Sequence, residues 1–164
     1  IIYSALVFSR LRRLLLIFGR CRVGHSVGLH DAVRFTWIGR LSIGSHSTIN
    51  MRTFLDARGH INIGQNVMIA RCVSIYTMTH DYDSPTFANI VAPVNIGDNV
   101  IVFPHAVVMP GVTIGAGAIV YPGCVVTKDV LPDQIVAGVP SRVVGMRSVP
   151  CQYQLNYTYF FPNS

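Results

Sequence analysis

Charge is scarce in this chain. Asp, Glu, Lys and Arg make up 12% of its 164 residues, against 51% hydrophobic residues. A soluble protein of this size so poor in charge must bury apolar surface in an extensive interior, on subunit faces, or both. Cysteine is sparse too: Cys21, Cys72, Cys124 and Cys151 contain no CxxC pair, so neither a disulfide framework nor a thiol redox motif is expected, and a reducing, cytoplasmic compartment is the default. Long apolar runs are missing. Residues 1–18 are rich in Ile, Leu, Val and Phe, but Arg10, Arg12 and Arg13 interrupt them, which excludes a spanning helix. The arginines follow the first apolar stretch instead of preceding it, the wrong order for a signal peptide. Basic residues are not interleaved with aromatics on one segment, which argues against nucleic acid as a partner. Period-2 alternation and hairpin dipeptides are absent as well, so an ordinary β-sandwich is disfavoured.

What is present is a six-residue rhythm. Ile96, Val102, Val108, Ile114, Val120 and Val126 recur at every sixth position. A second series of small or apolar residues runs four behind: Val100, Ala106, Val112, Ala118, Cys124 and Val130. Gly97 and Gly115 directly follow members of the first series. This period fits a solenoid in which each hexad forms one flat side and then turns a corner. Three hexads close a triangular coil of about eighteen residues, and coils stack at about 4.8 Å. The rhythm also appears upstream, in Ile63, Ile69 and Ile75 with Val67, Val73 and Thr79, and in Ile43, Ile49, Leu55 and Ile61. These two runs are out of phase, since Ile61 and Ile63 are two apart, and an enlarged coil accounts for the shift.

The pattern divides the chain into an N-terminal amphipathic helix over 1–22, a solenoid over 23–146 and a tail over 147–164. Residues 23–40 read as irregular first coils, and 80–93 as a loop projecting from the solenoid, where binding sites commonly lie. Arginines on an apolar helix over residues 1–20 suit packing on the solenoid end or a partner subunit, or peripheral contact with an anionic membrane surface. The formal net charge of +6 favours an anionic partner generally. The tail is expected to lie along the outside of the coils or against a neighbour.

The hexads, with IYTMTHDYD, NIGDNV, MPGVTIGAGAIV, VVTKDV and VAGVPSRVV in this order, resemble the hexapeptide-repeat acyltransferases. Within them the chain is similar to sugar O-acetyltransferases of the maltose, galactoside and colanic-acid types. The resemblance implies a left-handed parallel β-helix, a homotrimer, acetyl-CoA as donor and a saccharide as acceptor, in envelope or exopolysaccharide biosynthesis at the inner face of the membrane. It implies that His80 is the catalytic base, since a neutral imidazole can take a hydroxyl proton near neutral pH. Asn50 corresponds to an acceptor-pocket asparagine, and Asp81 or Asp83 is placed to orient the imidazole. Lys128 and Arg142 correspond to cations near the adenosine phosphates, and Ala137, Gly138, Val139 and Pro140 to the turn beside the adenine. No metal is implied. His25 and His30 have the five-residue spacing of solenoid carbonic anhydrases, but there the pair lies downstream of the lone histidine, so that reading is the weaker. A non-catalytic solenoid scaffold in a glycan-assembly complex is the alternative of a different class.

One departure stands out. At Phe103-Pro104 the family commonly has a glycine followed by Ser or Ala, whose backbone N–H faces the thioester carbonyl. Proline has no N–H. Phe103 and Pro104 at this cofactor-binding place leave three outcomes: the donor lies differently, another N–H such as that of His105 serves, which is the expectation favoured, or the activity is weak or absent.

Overall fold

Three flat walls of short parallel strands wrap one continuous apolar core. The computed structural model describes residues 21–156. The first wall stacks Arg22–Val23, Leu41–Ile43, Ile61–Ile63, Val94–Ile96 and Thr113–Ile114. The second stacks Gly28–Leu29, Thr48–Ile49, Met68–Ile69, Ile101–Val102, Ile119–Val120 and Gln134–Ala137, with Arg142–Met146 added antiparallel at its end. The third stacks Arg34–Thr36, Phe54–Asp56, Ser74–Tyr76, Val107–Val108 and Val125–Val126. The chain visits the walls in turn, so the molecule is a parallel β-helix of about six coils. Most of the helix expected over 1–22 lies outside the described residues. Its last two residues belong to the solenoid: Cys21 is buried and its thiol donates to Leu41 O, and Arg22 pairs with Ser42.

The six-residue series point inward. In register, Ile43, Ile63, Ile96 and Ile114 form one stack and Leu55, Ile75, Val108 and Val126 another. All are at most 3% exposed, and each buried aliphatic contributes about 1.5–3 kcal/mol relative to an exposed one. The first coil is regular, against the irregular coils expected over 23–40. Val23, Leu29, Phe35 and Leu41 are six apart and pack into or against the core. The phase slips by two between Leu41 and Ile43, and again between Ile61 and Ile63. The surplus is taken up at the corners, where 3₁₀ turns form over Ile38–Arg40 and Ala57–Gly59.

The corners are left-handed. His46, Asn66, Asn99 and Gly117 follow the first wall with φ of 61°, 55°, 59° and 73°. Arg52, Cys72, His105 and Gly123 follow the second with φ of 59°, 59°, 64° and 67°. Each of these residues donates its N–H to a carbonyl of the coil before it, as His105 does to Arg71 and Gly123 to Pro104. The glycines of the first edge allow neighbouring coils to touch: a Cβ on Gly97 would lie 2.7 Å from the Ala116 nitrogen.

Two segments depart from the coil. Thr77, not Thr79, is the buried member of its column; its hydroxyl donates to Asp56 O at 2.5 Å and accepts from Gly59 N–H at 2.7 Å. After it the chain leaves as an antiparallel ribbon, Met78–His80 paired with Asn89–Val91, so the expected loop is a hairpin. The tail runs back along the first edge. Arg147 N–H donates to Asp133 O, its guanidinium to the carbonyls of Gly117 and Asn99, and its final described residue, Asn156, reaches His46 Nδ1 at 3.0 Å.

Candidate active site

His80 ends the outgoing strand of the hairpin and is exposed. Its ring stacks on Phe87, with centroids 4.3 Å apart and planes 7° from parallel. Its Nδ1 lies 3.2 Å from the Phe87 carbonyl oxygen. A carbonyl can only accept, so Nδ1 carries a proton, and in the neutral ring the lone pair is on Nε2. The ring is therefore held by a backbone group, not by either aspartate considered from sequence. Asp81 Oδ1 instead accepts from the Asp83 N–H at 3.0 Å, closing the turn at the hairpin tip. A backbone carbonyl seven residues on leaves no side-chain signature in the sequence.

Asn50 closes the second wall. Its backbone N–H donates to Ile69 O at 2.9 Å and its amide nitrogen to the same oxygen at 3.3 Å. Along this edge it stands in a column that runs from His30 through Asn50 to Ala70, Phe103 and Tyr121, each bonded to the next coil in the same way. Phe103 meets Tyr121 edge to face at 6.2 Å. Pro104 follows at the corner, half-buried, with Pro122 in the equivalent place one coil on. In the preceding coils this place belongs to Met51 and Arg71, whose N–H groups have no backbone acceptor among the described residues. Pro104 thus removes an N–H that the fold leaves available. The His105 N–H does not replace it, because it is committed to Arg71 O at 3.2 Å, and the Phe103 N–H is committed to Val120 O at 2.9 Å.

The turn Ala137–Arg142 continues the same edge. Gly138 takes φ of +93° and the Val139–Pro140 bond is cis. Gly138 O accepts from Val125 N–H and Ser141 N–H donates to Val125 O, which seats the turn on the third wall. Arg142 is exposed and donates to Ser141 O. Lys128 is exposed at the far end of that wall, after Val125–Val126.

The site residues therefore fall on two edges of the prism. His80 and Lys128 lie where the third wall gives way to the first. Asn50, Phe103, Pro104 and the Ala137–Arg142 turn lie where the second gives way to the third. One wall separates the two groups within a chain. The remaining edge carries the tail.

Residues 93–128 match the bacterial transferase hexapeptide family (six repeats). The fold superposes on the hexapeptide-repeat acetyltransferase of Vibrio cholerae O1 biovar eltor, crystallised with acetyl coenzyme A, with a TM-score of 0.79, 30% identity, and coverage of 85% of this chain and 78% of that one. The chain belongs to the hexapeptide-repeat acetyltransferases. A maltose O-acetyltransferase from Clostridium difficile 630 superposes with a TM-score of 0.75 and 30% identity, covering 84% of this chain and 75% of that one. Galactoside O-acetyltransferase of Escherichia coli (strain K12) is 33% identical over 125 residues, which are 74% of this chain and 62% of that enzyme. The chain thus spans less than two thirds of that relative's length. Membership in this family of left-handed β-helices is consistent with the observed parallel solenoid.

Sequence reasoning missed one feature of the surroundings. Asp56 is fully buried at the corner beneath the hairpin, where it accepts from Thr36 Oγ1 at 2.7 Å and from Arg58. The available signal was an arginine two residues after an aspartate at a strand end.

Proposed function

We propose that the protein transfers the acetyl group of acetyl-CoA to a sugar hydroxyl, with His80 as general base. The observation that carries this reading is the bond from His80 Nδ1 to the Phe87 carbonyl, which in the neutral form of this exposed ring puts the lone pair on Nε2. Nε2 takes the hydroxyl proton as the sugar oxygen attacks the thioester carbonyl. When the C–S bond breaks, the imidazolium returns that proton to the sulfur. Asn50 offers both a donor and an acceptor to the sugar. Lys128 and Arg142 are exposed cations suited to the phosphates of the donor, and the Ala137–Pro140 turn, exposed at Gly138, Val139 and Pro140, offers a surface for its adenine.

A homotrimer completes the site. The two groups of residues lie on different edges, so each site joins the His80 edge of one chain to the Asn50 edge of the next. The acceptor is a saccharide of envelope or exopolysaccharide synthesis, and the basic, apolar residues 1–20 suit work at the inner face of the membrane. Among the described residues no helix is long and apolar enough to cross a membrane.

Purified protein incubated with acetyl-CoA and a sugar panel tests this. Sugar-dependent thiol release that is lost in His80→Ala supports it. Pro104 favours a second reading, a non-catalytic solenoid scaffold, because it deletes the N–H that the family resemblance assigns to the thioester carbonyl. Absence of thiol release with every sugar, in protein that still binds a saccharide, selects that reading.

A further inference from the structure

A cleft of about 250 Å³ opens on the first wall beside the third edge, lined by Arg22, Arg40, Ser42, His60 and Asn62 among others, and among the described residues no carboxylate lines it. The register explains the cluster. Arg22, Ser42 and Asn62 are stacked outward-facing partners in successive coils. The Ser42 hydroxyl donates to Asn62 Oδ1 at 3.2 Å, and Asn62 donates onward to Asn95 at 2.9 Å. Arg40 reaches the cleft from the 3₁₀ corner of the first coil. Its guanidinium is held in place by a hydrogen bond to Arg58 O and lies 5.8 Å over the Trp37 ring. Among the described residues the ion pair is that of Arg58 with Asp56, and neither Arg22 nor Arg40 takes part in one. Two arginines without acidic partners, one of them fixed by its neighbours, form a site for an oxyanion that can accept several N–H donors at once.

The position of the cleft matters as much as its charge. The root of the His80 hairpin is fastened to its rim: Val94 N–H donates to His60 O at 3.0 Å, Ala92 N–H to Thr77 O at 3.0 Å and Gly59 N–H to Thr77 Oγ1 at 2.7 Å. An acceptor anchored in the cleft by a charged group lies on the edge from which the base projects. We propose that this cleft seats the phosphoryl group of a phosphorylated saccharide acceptor. This deepens the sugar-acceptor reading above and rests on it for the identity of the ligand.

The test has a binding arm and a transfer arm. In the first, protein saturated with CoA is titrated with inorganic pyrophosphate, as wild type and as Arg22→Gln/Arg40→Gln. Both side chains are exposed, so the variant is expected to melt like wild type, which circular dichroism checks. The expected result is a loss of affinity of about tenfold or more in the variant. In the second arm, KM is compared for a sugar 1-phosphate and the methyl glycoside of the same sugar. The wild type should favour the phosphate, and the variant should lose that preference. A nucleoside-diphosphate sugar and a polyprenyl-diphosphate sugar, run side by side, separate the two carriers that present this chemistry. Equal pyrophosphate affinity in wild type and variant overturns the inference, whatever the transfer assay gives. Lost affinity in the variant without transfer to any saccharide upholds the anion site and overturns the acetyl-transfer reading instead.

Discussion

Arg58 grips the buried carboxylate of Asp56 at two points, Nε to Oδ1 at 2.8 Å and Nη2 to Oδ2 at 2.6 Å. Asp56 itself has no exposed surface. Its carbonyl accepts the Thr77 hydroxyl where the hairpin begins, so the pair anchors the root of the segment that carries His80. Replacing Asp56 by Ala strands the Thr36 hydroxyl and frees Arg58, at an expected loss of about 2–3 kcal/mol in unfolding free energy by urea titration. An unchanged midpoint would show that solvent or a rearranged neighbour replaces the carboxylate.

The same pair sets an acid limit on stability. The hydrogen bonds from Arg58, with smaller help from Thr36, outweigh desolvation and hold the Asp56 carboxyl below its ordinary range. A folded value lower than the unfolded one means that ionised Asp56 stabilises the protein fully above about pH 4, and that this stabilisation disappears as pH falls through the folded value. Asp56→Asn should therefore flatten the fall in Tm below about pH 4. A Tm profile parallel to wild type would assign the acid limit to other carboxylates.

His80→Ala should leave less than about a tenth of wild-type kcat with circular dichroism and oligomer size unchanged, because its ring lies on an exposed hairpin and not in an inward place. Retention of more than that assigns the proton transfer to another group.

Sedimentation equilibrium should return a trimer at micromolar concentration. Since His80 and Asn50 lie on different edges, trimers co-refolded from His80→Ala and Asn50→Ala chains should regain activity that neither variant has alone. A monomer, or no gain on mixing, would rule out the shared site.

Pro104→Ser restores an N–H at the place where those of Met51 and Arg71 find no backbone acceptor among the described residues. With the N–H groups of Phe103 and His105 both committed, the substitution should raise kcat/KM for acetyl-CoA, by up to about a hundredfold if the N–H meets the oxyanion. A fall in rate would mean that the donor takes a different path along this edge.

The solenoid was legible because an inward place in a narrow coil admits one aliphatic residue, and six-fold recurrence leaves few other readings. The first coil was harder to see. Val23, Leu29 and Phe35 keep the same spacing, but two corner residues at each 3₁₀ turn break their phase with Ile43 and then Ile63. His80 stood out through a motif; the group that holds it is a main-chain oxygen, which has no residue identity to read. The cleft was hidden for a different reason. Arg22, Arg40 and Asn62 are distant in sequence and meet only because the coils stack.

The tail has a consequence for folding. Coils of a solenoid touch only their neighbours, so such a stack can in principle melt from either end, coil by coil. Here Arg147 ties the sixth coil to the fifth and fourth. Asn66 holds the tail at the third, donating to Tyr153 O at 2.9 Å and accepting from Leu155 N–H at 2.8 Å. His46 takes Asn156 at the second, across 110 residues of sequence. The strap cannot seat until coils two to six are formed, and fraying of the second or the sixth must release it. It joins coils two to six into one cooperative unit, in which the hairpin and the edges that bear the site open together or remain closed.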